Sequence, residues 1–213
     1  MMAMARLSYK EQIQRVREDA IVEAVNRLLA SKGYDSMTVD EVAAEAGVAK
    51  ASVYKHFASK EELAGAAMVR ALERALAFVD DLRAQTETAA LDQLKAVARW
   101  AVQSQLEGEM PSLPSQNSSL TAFLQANDDY MDRLISLSNK LGIWITQAQT
   151  SGQINAQLPA EMIMYILFAR ACDPVVGMLK ASGQYSNEQI LAWVTTTTFD
   201  GLGVPGQSGA GRA

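Results

Sequence analysis

A single cysteine, Cys172, stands among 213 residues, so no disulfide can close within the chain and a reducing cytoplasm is the expected compartment. Histidine is equally scarce. His56 is alone, and far in sequence from Cys172, which leaves no His/Cys cluster with metal-ligand spacing and no Ser-His or Cys-His nucleophile pair. The adjacent acids Asp80-Asp81 and Asp128-Asp129 diverge around a helix, so neither pair can share acid–base work, and no glycine-rich phosphate loop occurs. An enzyme is therefore not expected, nor a metal or a cofactor. The longest apolar run is "MIMYILFA", residues 162–169, stopped by Arg170, whereas a bilayer span needs roughly 20 residues. The opening "MMAMARLSYK" lacks a cationic start followed by an apolar stretch, so neither a secretory signal nor a membrane partner is expected.

What is present is a helical pattern in a chain 49% hydrophobic and 20% charged, a balance that suits a globular protein with a buried core. Ile13, Val16, Ala20, Ile21, Ala24, Val25 and Leu28 recur at three- and four-residue steps and predict a helix over 9–32, with Gly33 as its left-handed stop. Thr38 and Glu41 form a capping-box pattern that opens a helix of about two turns, with Met37 as staple onto Val42. That helix ends at Gly47. A second short one covers 48–57, and Ser59 with Glu62 opens a long helix over 60–83. Further helices are expected from about residue 91, over 128–151, over 159–180 with a kink at Pro174, and from Ser186 to about 203; residues 108–119 read as a loop. No strand of convincing length appears. The class is all-α, read as a helix-turn-helix domain over 1–60, a helical body over 61–204 and a disordered tail over 205–213.

The chain is acidic at −5, yet the charge is uneven. Residues 1–60 hold nine Lys/Arg and eight Asp/Glu, and no carboxylate lies between Ala46 and Lys60. Two short helices joined around Ala46-Gly47-Val48, behind a longer one, have helix-turn-helix spacing. On the second short helix Val53 and Phe57, four apart, anchor one face, so Lys50, Ala51, Tyr54 and Lys55 point outward with Ser52 and His56 near the boundary. A surface meant to approach phosphates must exclude carboxylates, and this one does.

The stretch "TVDEVAAEAGVAKASVYKHFASKEEL" resembles the DNA-binding signature of TetR-family transcriptional regulators, with Thr38, Ala46-Gly47-Val48, Tyr54, His56-Phe57 and Lys60-Glu61 in matching register. The resemblance covers about residues 20–63; the remainder is similar in helix pattern and length only. It implies that Thr38 meets a phosphate at the start of the second helix, and that Lys50, Ala51 and Ser52 front the recognition helix in the major groove of operator DNA. By the same resemblance Tyr54, His56 and Lys60 contact backbone phosphates, and Lys55 a phosphate or a base. Ala49 departs from the family, which often has Ser or Thr there. The missing cap is worth about 1 kcal/mol, so the recognition helix is expected to firm up on DNA.

The resemblance further implies a homodimer joined through the last two helices, and a small apolar or amphipathic effector bound in the second half. Trp100, Gln103, Phe123, Tyr130, Trp144, Gln147, Met162, Tyr165 and Phe168, aromatic and sulfur groups beside isolated amides, are its expected lining. Arg170 and Asp173 are expected to pair. The expected activity is repression relieved by the effector through movement of the 60–83 helix. The alternative is a helical partner-binding module without sequence-specific DNA binding.

Overall fold

The computed structural model describes residues 9–84, 88–113 and 118–203. Among these residues ten helices and no strands occur. They are α1 (Tyr9–Ser36), α2 (Val39–Glu45), α3 (Lys50–His56), α4 (Lys60–Ala84), α5 (Ala90–Glu107), α6 (Ser119–Gln125), α7 (Asp128–Thr150), α8 (Ala160–Arg170), α9 (Pro174–Ser182) and α10 (Asn187–Leu202). The tail expected beyond residue 204 lies outside the described residues.

The local signals at the amino end act largely as their chemistry requires. The Thr38 hydroxyl accepts from the Glu41 amide at 3.3 Å while the Glu41 carboxylate accepts from the Thr38 amide at 3.0 Å, so two otherwise orphaned donors of α2 are satisfied. Gly47, at φ 66°, turns the chain, and the Val48 amide closes onto the Ala43 carbonyl at 2.9 Å. Ala49 supplies no side-chain cap to α3, as expected, and the first turn is closed by the Ser52 amide on the Ala49 carbonyl at 2.7 Å. Gly33, at φ 76° and ψ 172°, interrupts the helical geometry of α1 with a positive φ, as expected, and a short last turn runs on to Ser36.

Three apolar clusters hold the body together. Ile21, Val25 and Leu29 of α1 meet Val42, Val53 and Phe57, but this small core is closed from outside by Leu63, Ala64, Ala67 and Met68 of α4 and by Leu120 and Leu124 of α6. Beginning at Lys60, α4 thus serves this core and the next one. Lower on α4, Val79 joins Leu94, Leu137, Leu141, Trp144, Ile145, Ile163 and Leu167 in a second cluster. Val102 and Leu106 pack with Val176, Ile190, Leu191 and Val194 in a third. Each large aliphatic side chain so buried contributes roughly 1.5–3 kcal/mol.

Two elements depart from expectation. The short helix α6 carries no strong periodic signal and falls beside the proline-bearing loop; it exists because Ser118 caps it and Leu120 and Leu124 are buried. The kinked helix expected over 159–180 is two helices. Pro174 has no N–H to continue α8, and the Asp173 carboxylate instead caps α9 through the Val175 amide at 3.0 Å. The other oxygen of Asp173 lies 2.7 Å from Arg170 Nη1, so the expected pair is formed and its acid is 5% exposed. By length and composition Ala160–Ser182 could cross a membrane, but this break divides it into helices of 11 and 9 residues with the ion pair between them.

Asp173→Ala removes a cap and strands the Arg170 guanidinium, and is expected to cost about 2–4 kcal/mol in urea denaturation. A loss under 0.5 kcal/mol would show that neither contact holds the α8–α9 junction.

Candidate functional site

The orientation of α3 follows from what it buries. Val53 and Phe57 are 1% and 6% exposed, which turns Lys50, Ala51, Tyr54 and Lys55 to the outside and leaves Ser52 half-buried. Lys60, at the start of α4, lies 4.4 Å above the Tyr34 ring and 3.4 Å from the Asp35 carbonyl, so its stem is held against the end of α1. His56 faces inward more than its neighbours. Its Nδ1 is 3.7 Å from a Glu18 carboxylate oxygen on α1, and only 9% of its side chain is exposed, because it sits beside the anchoring Phe57. Thr38 is engaged at home: its hydroxyl donates to Glu41 Oε2 at 2.7 Å. The Glu41 carboxyl, hydrogen-bonded by the Lys32 ammonium and by Thr38, is held down to about 2. Its contribution to the cap is complete above the ordinary carboxylate range and is lost only as pH falls through about 2.

One participant is invisible in the carboxylate-free window because it lies before it in sequence. Asp40, in the first turn of α2, accepts from Lys50 Nζ at 2.9 Å. This hydrogen bond raises the pKa of Lys50 and ties the front of the reading helix to the helix behind it. The acid is 71% exposed, so it remains open to anything that docks on this face.

Two short helices at a glycine turn, the second presenting cations and hydroxyls, define a helix-turn-helix protein with an all-helical body behind it. Residues 21–67 match the family described as bacterial regulatory proteins, tetR family. The helix-turn-helix at the amino end is thus that of TetR-family transcriptional regulators. An HTH-type transcriptional regulator of Mycobacterium bovis is 43% identical over 58 residues, 27% of this chain; the chain thus spans 29% of that curated relative. A TetR-family regulator of Agrobacterium tumefaciens matches at a TM-score of 0.66 and 19% identity, covering 90% of this chain and 100% of that one. The regulator FadR of Bacillus subtilis, solved in complex with stearoyl-CoA, matches at 0.59 and 20% identity, over 86% and 98%. At these identities the solved neighbours share the fold.

Behind the domain lies a cavity of about 280 Å³ between α4, α5, α7 and α8. Of the nine residues expected to line such a site, Trp100, Tyr130 and Phe168 do. The other six do not. Trp144 is core, 4% exposed, further along the same face of α7 in one cluster with Leu137 and Leu141. Phe123 packs on α4, where a Cβ on Gly65 would lie 2.6 Å from its ring. Gln103 bonds Glu107 one turn along α5, and Gln147 is exposed. Met162 and Tyr165 stand 48% and 61% exposed on the outer face of α8, the latter donating to Glu161 at 2.7 Å. Aliphatic residues supply most of the wall: Met68, Ala71, Leu72 and Ala75 of α4, Leu134, Leu137 and Leu141 of α7, and Met110, Pro111 and Leu113 of the segment after α5.

Lys50→Ala is expected to cost about 1–3 kcal/mol on a preferred duplex and to relax base preference, whereas Lys60→Ala should weaken all duplexes alike and lower the salt slope by about 1. Fluorescence anisotropy over a salt series separates them; equal losses for Lys50→Ala on preferred and random DNA would make it a phosphate contact only. Asp40→Ala removes a carboxylate from the same face and frees Lys50, so affinity for random DNA should rise about 2- to 5-fold, in keeping with an exposed pair. A fall in that affinity would mean that Asp40 supports the contact.

Proposed function

We propose that the chain is a ligand-responsive transcriptional repressor that binds palindromic operator DNA as a homodimer and is released by a small apolar effector. One observation carries this reading. The helix α4 begins with Lys60 beside the reading face and runs on to line the cavity with Met68, Ala71, Leu72 and Ala75. Fifteen residues of helix connect Lys60 to Ala75 over about 22 Å, so one rigid rod serves both sites.

A second path runs beside it. The Glu109 carbonyl accepts from Asn26 of α1 at 2.7 Å, and Arg74 of α4 reaches the Glu109 carboxylate at 3.3 Å. The following residues, Met110, Pro111 and Leu113, are cavity wall. A molecule that spreads this wall pulls on α1 as well as α4, and both helices close the core that holds α3. The effector then acts by its differential affinity for the spread and unspread states.

Dimerisation is supported by apolar side chains left in solvent on the last helices: Met162, Tyr165, Val175, Met178 and Trp193 are 45–72% exposed. A second copy would cover them and set two reading helices about 34 Å apart, one turn of the duplex. The carbon-walled cavity supports a small apolar molecule as the effector class.

Selection of bound duplexes from a random pool tests the reading. A palindrome with half-sites about one helical turn apart, or a multiple of it, is the expected product. An enriched single half-site would remove the dimer, and no enrichment at low salt would remove the function.

A further inference from the structure

We propose that the cavity accepts only uncharged, hydrocarbon-bodied molecules and rejects carboxylates and coenzyme A thioesters. This rests on the reading of the chain as an effector-responsive regulator, and narrows its ligand.

The wall is the reason. Among the described residues, no Asp, Glu, Lys, Arg or His lines the cavity, and its surface is almost all carbon. The polar side-chain groups that the described residues place there are the Trp100 indole, the Tyr130 hydroxyl and the Cys172 thiol. All three are neutral. Burial pushes the Tyr130 phenol up, and burial beside Asp173 does the same for the thiol, so neither supplies or invites charge. The cations that flank the wall in sequence are committed elsewhere. Arg170 pairs with Asp173 at 2.7 Å and Arg74 meets the carboxylate and carbonyl of Glu109, so each charge already has its countercharge, although the Nε of each arginine is buried without a partner.

An anion entering this space would shed its water and gain no countercharge, a cost of several kcal/mol per ion in protein interiors. A neutral molecule loses little and can use one hydroxyl or carbonyl on the indole or phenol. At about 280 Å³ the cavity lies just below the roughly 300–1,000 Å³ common for small-molecule sites, and suits one compact or medium-chain molecule. The neighbour that holds stearoyl-CoA shares the fold at 20% identity, and its ligand class does not carry over to this wall.

Matched probes decide it. The full-length protein is titrated with 1-decanol, decanoate and decanoyl-coenzyme A, and with the ring pair 2-naphthol and 2-naphthoate, by calorimetry near pH 7.5. The expected result is binding of the alcohol or the naphthol at least about 100-fold tighter than its anionic counterpart. An anion that binds as tightly as its neutral partner, or binding by neither neutral probe, overturns the proposal. Ala75→Phe, which fills the wall from α4, should abolish binding with its helical circular dichroism unchanged; if that variant does not fold, Val97→Phe replaces it. Retained binding in a folded, filled variant also overturns the proposal. Release from the selected operator is read in parallel. A neutral probe that binds yet leaves the operator complex intact defeats the regulator reading alone, and an anion that binds and releases DNA defeats only the ligand class.

Discussion

The burial of Val53 and Phe57 against α1 and α2 is the contact on which the rest depends. A seven-residue helix without a side-chain cap has little stability of its own, and its orientation is decided by these two anchors. With them in the core, the remaining face of α3 is set, and it is the face that carries Lys50, Tyr54 and Lys55 without an acid among them. The rotation of one short helix thus converts a sequence pattern into a surface that DNA can approach.

That core is not self-sufficient. The helices α1, α2 and α3 bury too little to close it, and the first turns of α4 with two leucines of α6 complete it. The coupling between halves follows from this economy of packing rather than from a special hinge. Gly65 allows Phe123 to lie directly on α4, and the hydroxyls of Tyr34 and Ser119 both lie on Glu61 Oε1, at 2.8 and 2.7 Å. The Glu61 carboxyl is held below its ordinary range by these two hydrogen bonds. Ends of α1, α4 and α6 meet at this one carboxylate, so a displacement of any of them is felt by the other two.

The amino-terminal half was legible in the sequence because its signals are local and polar. Capping boxes, the turn at Gly47 and a carboxylate-free window are each read from a few adjacent residues, and each reflects a hydrogen bond or a charge that must be placed. Asp40 escaped because proximity to Lys50 across two helices has no mark in linear order. The cavity was less legible for a different reason. Its wall is built of leucine, alanine and methionine at helical spacing, which core packing uses equally. Aromatic and amide groups stand out more in a sequence, but Gln147 and Tyr165 both face solvent. The break at Asp173-Pro174 was half legible: proline announced a disturbance, and the cap that makes it a clean end became visible only with the carboxylate buried in place.

Central to the proposed function is the insertion of the exposed face of α3 into duplex DNA. A photoreactive amino acid at Ala51, the small exposed residue at the front of that face, tests this directly. Irradiation of the full-length protein with an enriched duplex should attach this position to bases within the protected half-site, with no attachment from the same group at Thr196 on α10. Crosslinks formed from Thr196 and absent from Ala51 would contradict it.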